Sequence, residues 1–132
     1  MGKRTLTKEA DVKAEVKKLL KKHNWFWWMP PMNGYGQSGV ADFNALRAGV
    51  FLAIETKFGN NRPTPLQKGY LQSITAEGGF GFVVNDKNLE WFAGWLERFD
   101  TAAQAVERGE KPSNDDGAYM LNAIAAMTEL TV

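Results

Sequence analysis

The chain has 132 residues, of which 44% are hydrophobic and 23% charged, the make-up of one soluble globular domain with a single core. It has no cysteine, which excludes disulfides, thiolate catalysis and cysteine-ligated zinc, and fits a reducing, cytoplasmic compartment. No apolar run approaches the ~20 residues that span a bilayer, and the basic N-terminus lacks the apolar core of a secretory signal. The formal net charge of +1 is unevenly spread. Residues 1–24 hold eight Lys/Arg against three Asp/Glu, and residues 86–116 hold four against eight. One face is thus suited to a polyanion, with an acidic region pointing elsewhere; a solvated lysine-rich helix is the plainer alternative.

In chain order, residues 7–22 form an amphipathic helix, with Thr7 as N-cap, acidic early turns and lysines at the end. Val12, Val16, Leu19 and Leu20 mark its buried stripe, with Glu9 inside that stripe and Glu15 at its edge. Either glutamate could take part in a site, although Glu9 with Lys13 is also an ordinary i,i+4 pair. His23 is lone and reads as a helix C-terminal cap, with no second histidine for a histidine-metal centre.

Residues 25–29 (WFWWM) form a short strand stopped by Pro30-Pro31. Trp25, Trp27 and Trp28 could stack on bases, but core packing is the expected role. Gly34, Gly36 and Gly39 match G-x-G-x-x-G literally. A strand follows rather than a helix whose N-terminus could hold a pyrophosphate, so no nucleotide cofactor is expected. Residues 40–47 and 50–57 form a hairpin around Ala48-Gly49. After a loop carrying Arg62, Thr64 caps a helix from Pro65 to Glu77, Phe80 to Val84 is a strand, and a long helix spans 87–108. Leu89, Phe92, Ala93, Leu96 and Phe99 form that helix's apolar face. Residues 109–117 read as a linker with solvated Asp115 and Asp116. Residues 118–130 read as a short helix packing on the body or on a partner subunit. A first domain of residues 1–110 and a C-terminal extension of 111–132 result, and the order implies an α/β fold with a mixed sheet flanked by helices.

The chemistry centres on Glu55-Thr56-Lys57, at the end of an apolar strand. Strand alternation places Glu55 and Lys57 on one face, in a row with Phe51 and Ala53. Such a pair at the end of a buried strand is expensive unless something binds there. If Asp42 enters from the neighbouring strand, two carboxylates and a lysine converge, which suits a divalent cation and phosphodiester hydrolysis. Taken singly, Asp42 could cap a turn and Glu55–Lys57 could be a surface ion pair.

The stretch Gly39-Val40-Ala41-Asp42-Phe43, then Leu52-Ala53-Ile54-Glu55-Thr56-Lys57, Arg62-x-Thr64, Gln67 and Gly78-Gly79, resembles the PD-(D/E)xK nuclease superfamily. More narrowly it is similar to the VRR-NUC group, the virus-type replication-repair nucleases found as short standalone proteins in phages and bacteria. The resemblance covers roughly residues 7–85. It departs from the namesake motif in that Ala41, not proline, precedes Asp42.

The resemblance implies a restriction-endonuclease-like core of order αβββαβ plus a C-terminal helix. It implies a DNA endonuclease that uses Mg²⁺ or Mn²⁺, acts on branched or junction DNA and leaves a 5′-phosphate. Asp42 and Glu55 would be the metal's carboxylate ligands, with the Thr56 backbone carbonyl as a third. Lys57 would stabilise the phosphate or hold the attacking water, and Gln67 would orient the lysine or a phosphate oxygen. A helix glutamate, Glu9 or Glu15, completes the site. Arg62, Lys68, Lys17, Lys18, Lys21 and Lys22 are the candidate DNA contacts, and a homodimer would suit paired incisions. The alternatives are a non-catalytic nucleic-acid-binding module of the same fold, and an interaction protein using the aromatic cluster and final helix.

Overall fold

Three helices and one four-stranded sheet make up the described residues, 5–31 and 39–109 of the computed structural model. The elements run α1 (Glu9–Lys22), β1 (Phe26–Trp28), β2 (Phe43–Arg47), β3 (Val50–Thr56), α2 (Pro65–Ala76), β4 (Phe80–Val84) and α3 (Leu89–Glu107). The sheet is mixed, in the order β1-β2-β3-β4: β1 and β2 pair antiparallel, as do β2 and β3, and β4 is parallel to β3 across the α2 crossover. The expected α/β architecture and its element order are what the chain adopts. Among these residues no helix is long and apolar enough to cross a membrane.

Several boundaries differ from the sequence reading for local reasons. Lys8, not Thr7, is the N-cap of α1, and its side chain caps nothing. The roles are reversed: Thr7 donates from its backbone N–H and its hydroxyl to Asp11, at 2.9 and 3.0 Å, so the first-turn acid reaches back to hold the entering chain. At the other end Asn24 takes a positive φ of 60°, and Trp25 N–H donates to the Leu20 carbonyl at 3.0 Å. This Schellman reversal turns Trp25 into the core ahead of β1, so the strand begins at Phe26 rather than Trp25. β2 begins at Phe43, which leaves Asp42 just outside the strand. The β2–β3 turn is Ala48-Gly49, with φ of 51° and 79°, the positive pair that a two-residue hairpin requires.

Helices cover both faces of the sheet. On one face α1 (Val12, Val16, Leu20) and α3 (Phe92, Trp95, Leu96, Phe99) pack on Phe43, Ala45, Leu52, Ile54, Phe80, Phe82 and Val84. Trp95 lies at the centre, with ring centroids 4.9 Å from both Phe80 and Phe82. On the other face α2 packs Leu71 on Ala41, Ala53 and Val83. It lies so close that a Cβ on Gly81 would fall 2.6 Å from the Leu71 carbonyl oxygen. Among the described residues α2 lies mainly on β3 and β4, reaching β2 through the Tyr70 hydroxyl on Asn44, and on the same face of β1 and β2 Phe26, Trp28 and Leu46 remain exposed.

An ionic knot around the buried Arg47 side chain ties α3 to the rest. Arg47, at the end of β2, donates to Asp100, to Glu107 and to the His23 carbonyl, while His23 Nδ1 meets Asp100 at 2.7 Å. His23 does stand at the C-cap of α1, but its ring is turned into this knot. The expected linker and C-terminal helix, and Gly34 and Gly36, lie outside the described residues.

Candidate active site

The site forms at the carboxyl ends of the parallel strands β3 and β4, beside the N-terminus of α2, where open α/β sheets usually place ligands. Phe43 pairs with Ile54, so Asp42, one residue earlier, comes opposite Glu55. Gly39 fixes the approach of this segment. It has a φ of 96°, and a Cβ there would fall 2.7 Å from the Leu66 backbone of α2. Glycine therefore lets the chain enter against the helix and turn into β2.

Asp42 is anchored by one oxygen. Its Oδ2 accepts from Thr56 N–H at 2.9 Å and from the Thr56 hydroxyl at 2.6 Å. Its Oδ1 faces Lys13 Nζ at 3.8 Å, and the same ammonium lies 3.4 Å from Glu9. Glu55 is buried, at 2% exposure. Its Oε1 accepts from Gln67 Nε2 at 2.9 Å and lies 3.7 Å from Lys57 Nζ, whereas its Oε2 is buried without any hydrogen-bond partner. Burial is the main reason that the Glu55 pKa is raised to about 7, and the Asp42 charge adds to it. Lys57 and the Asp42 backbone N–H pull in the opposite direction, and Glu9 contributes a small further rise.

Gln67 has two tasks in one side chain. Its Oε1 accepts from Thr64 N–H while its backbone N–H donates to the Thr64 hydroxyl, which closes a capping box. Its amide nitrogen is thereby left directed at Glu55. Gln67 was expected to orient the lysine or a phosphate oxygen; here it holds the carboxylate that the lysine also faces.

Of the two α1 glutamates, Glu9 lies by the site, through Lys13 and through its effect on Glu55. Glu15 pairs with Lys18 at 3.6 Å and lines a groove with Leu19, Asp86 and Leu89 near the start of α3. Arg62 is exposed in the loop before α2, and Lys68 is half-buried on α2. Lys18, Lys21 and Lys22 are exposed on α1, as is Lys17, whose ammonium lies 5.9 Å from the Trp27 ring centroid. Lys13 was not among the expected site residues. Its spacing of four from Glu9 was visible, but its closeness to Asp42 depends on how α1 lies on the sheet.

Among the described residues no group of three His, Cys, Asp or Glu side chains is gathered into a metal cage. The donors present nonetheless suit a hard cation, which takes much of its shell from carbonyls and water. The orphaned, buried Glu55 Oε2 beside a second carboxylate is the arrangement that a cation would satisfy. No protein-family model matches the chain, nor does any curated protein.

Proposed function

We propose that the chain is a metal-dependent phosphodiesterase, a DNA endonuclease with a restriction-endonuclease-like core of the VRR-NUC kind, acting on branched or duplex DNA in the cytoplasm. The observation that carries this reading is the Glu55 carboxylate, buried with Oε2 unpartnered while Asp42 and Lys57 lie beside it.

Asp42 Oδ1 and Glu55 Oε2 would hold Mg²⁺ or Mn²⁺ with the Thr56 carbonyl. When bound, the cation supplies Lewis acidity to a phosphoryl oxygen and acidifies its water. The chain's own residues do the rest. Thr56 clamps Asp42 through Oδ2, and Gln67 occupies Glu55 Oε1, so each carboxylate is oriented through one oxygen and offers the other. Lys57 stabilises the charge that builds on the phosphate, or holds the attacking water. Lys13, bridging Glu9 and Asp42, ties α1 to the same corner. Arg62, Lys68 and the α1 lysines Lys17, Lys18, Lys21 and Lys22 contact the DNA backbone, and a homodimer would allow paired incisions.

Thermal unfolding with and without Mg²⁺ or Mn²⁺ tests the metal step. The wild type gains melting temperature with either ion, and Asp42→Ala does not. An equal gain in the variant would remove Asp42 from the metal site and with it the basis of this reading.

A further inference from the structure

Two lysines divide the carboxylates of the candidate site between them. Lys57 faces Glu55 at 3.7 Å, and Lys13 faces both Asp42 at 3.8 Å and Glu9 at 3.4 Å. Each oxygen in these contacts has a different remaining need. Asp42 is clamped by Thr56 through Oδ2 and meets Lys13 with Oδ1. Glu55 Oε1 takes the Gln67 amide as well as the lysine. Among the described residues, Glu55 Oε2 is the one carboxylate oxygen buried without a partner.

Glu9 and Lys13 stand one turn apart on α1, and such a pair is by itself an ordinary surface contact. Lys13 differs in its second partner, which enters from the segment before β2. A single ammonium therefore faces carboxylates from two elements, the contact that a bridging cation would otherwise make. An ammonium has three N–H donors and no lone pair, so it neutralises these oxygens without being able to ligate a metal itself.

Charge then bears on how many ions the corner can take. With Glu55 ionised it holds three carboxylates, Glu9, Asp42 and Glu55, against the two ammonium groups of Lys13 and Lys57. One divalent cation leaves a single positive charge in excess, the complement of one phosphodiester. A second would leave three. In two-metal sites the ions lie about 3.5–4 Å apart, so a second ion would draw on Asp42 and Glu9, the carboxylates that Lys13 already faces. It would meet a like charge there.

We propose, resting on the metal reading above, that the site takes one divalent cation and that the Lys13 ammonium stands in for a second beside Asp42 and Glu9. Lys13 is thus a positioning residue that sets the metal count. It balances Asp42 and Glu9, and Glu55 Oε2 remains as the oxygen that calls for an ion.

Mn²⁺ alone is the probe, titrated into the purified protein without DNA, with bound ions counted by the loss of the free-ion EPR signal. Wild type, Lys13→Gln, Lys13→Arg and Asp42→Ala are compared after cooperative unfolding of each is shown in EDTA. Lys13 is part-exposed on α1, and glutamine and arginine both suit a helix, so the fold is kept. Wild type and Lys13→Arg should bind one Mn²⁺ per chain. Lys13→Gln should bind two, with the spin-coupled spectrum of neighbouring ions in frozen solution. Two ions in wild type or in Lys13→Arg would overturn the role of Lys13. So would one ion or none in Lys13→Gln, or a second ion there that is not coupled to the first. In each of these cases a wild-type ion that Asp42→Ala loses keeps the metal site standing. No ion in the wild type, or one that Asp42→Ala retains, removes the metal reading and this proposal with it.

Discussion

Glu55 is poised between two states because its surroundings disfavour the charge that a cation would need. Its folded pKa of about 7, against 4.5 ordinarily, means that the folded protein binds this proton more tightly than the unfolded chain does. The resulting stability is fully present below about pH 4.5 and is lost as pH rises through about 7, a change of roughly 3 kcal/mol. Urea unfolding between pH 4.5 and 8 in EDTA should therefore show the wild type losing stability over that window. Glu55→Gln should flatten that loss and be the more stable protein above pH 7; a wild-type profile unchanged by Glu55→Gln would contradict the assignment. Gln67 can be dissected in the same way. Gln67→Ala removes the side-chain half of the capping box and strips a partner from Glu55, so it should cost about 1–2 kcal/mol at pH 7. Gln67→Glu can still close the capping box but sets a third carboxylate against Glu55. It should match wild type near pH 4 and become clearly weaker by pH 8, a divergence that melting curves at the two pH values would reveal.

At the scale of elements, the site depends on how α2 and α1 lie on the sheet. Gly81 allows α2 to touch β4, so Gly81→Ala should cost about 1–3 kcal/mol and shift Gln67 from Glu55. Denaturant unfolding reads the first effect, and a Glu55-dependent change in the pH profile reads the second. The Arg47 knot should be worth about 2 kcal/mol, measured by Arg47→Met, because Asp100 and Glu107 lose their shared partner. Much of this layer was legible in the chain. The hairpin followed from Ala48-Gly49, α2 from Thr64-Pro65 with Gln67 at the third position, and the shared face of Glu55 and Lys57 from strand alternation. What escaped were contacts made by tertiary placement. Arg47, His23 and Asp100 lie far apart in sequence, and no periodicity links them. Trp95, at the core centre, was left out of the apolar face read for the last helix because it falls beside the Leu89–Phe92–Leu96 repeat. The choice between Glu9 and Glu15 depended on which flank of α1 turns to Asp42, and a helical wheel cannot supply that. The exposure of Phe26 and Trp28 was hidden for a similar reason: a five-residue aromatic run gives no sign of which face α2 leaves uncovered.

At the scale of the whole molecule, among the described residues one face of the sheet is covered by α1 and α3, and α2 covers the other mainly over β3 and β4. The candidate site sits where that second cover ends, beside the α2 N-terminus and Lys13 of α1. On the proposed function the α1 lysines contact phosphates, so DNA affinity should fall steeply with salt, and Lys17→Gln combined with Lys21→Gln should flatten that dependence. Titrations at several salt concentrations measure it, and an unchanged slope would remove these lysines from the interface. The central claim is that Asp42, Glu55 and Lys57 carry out metal-dependent phosphodiester hydrolysis. The most direct measurement is cleavage of single-stranded, duplex, flapped and four-way-junction DNA by wild type and Lys57→Ala, with Mg²⁺, with Mn²⁺ and with EDTA. The account predicts cutting that requires the metal and falls by at least about 10²-fold in the variant. Intact DNA with every substrate and metal, or cutting that persists in Lys57→Ala or in EDTA, would contradict it.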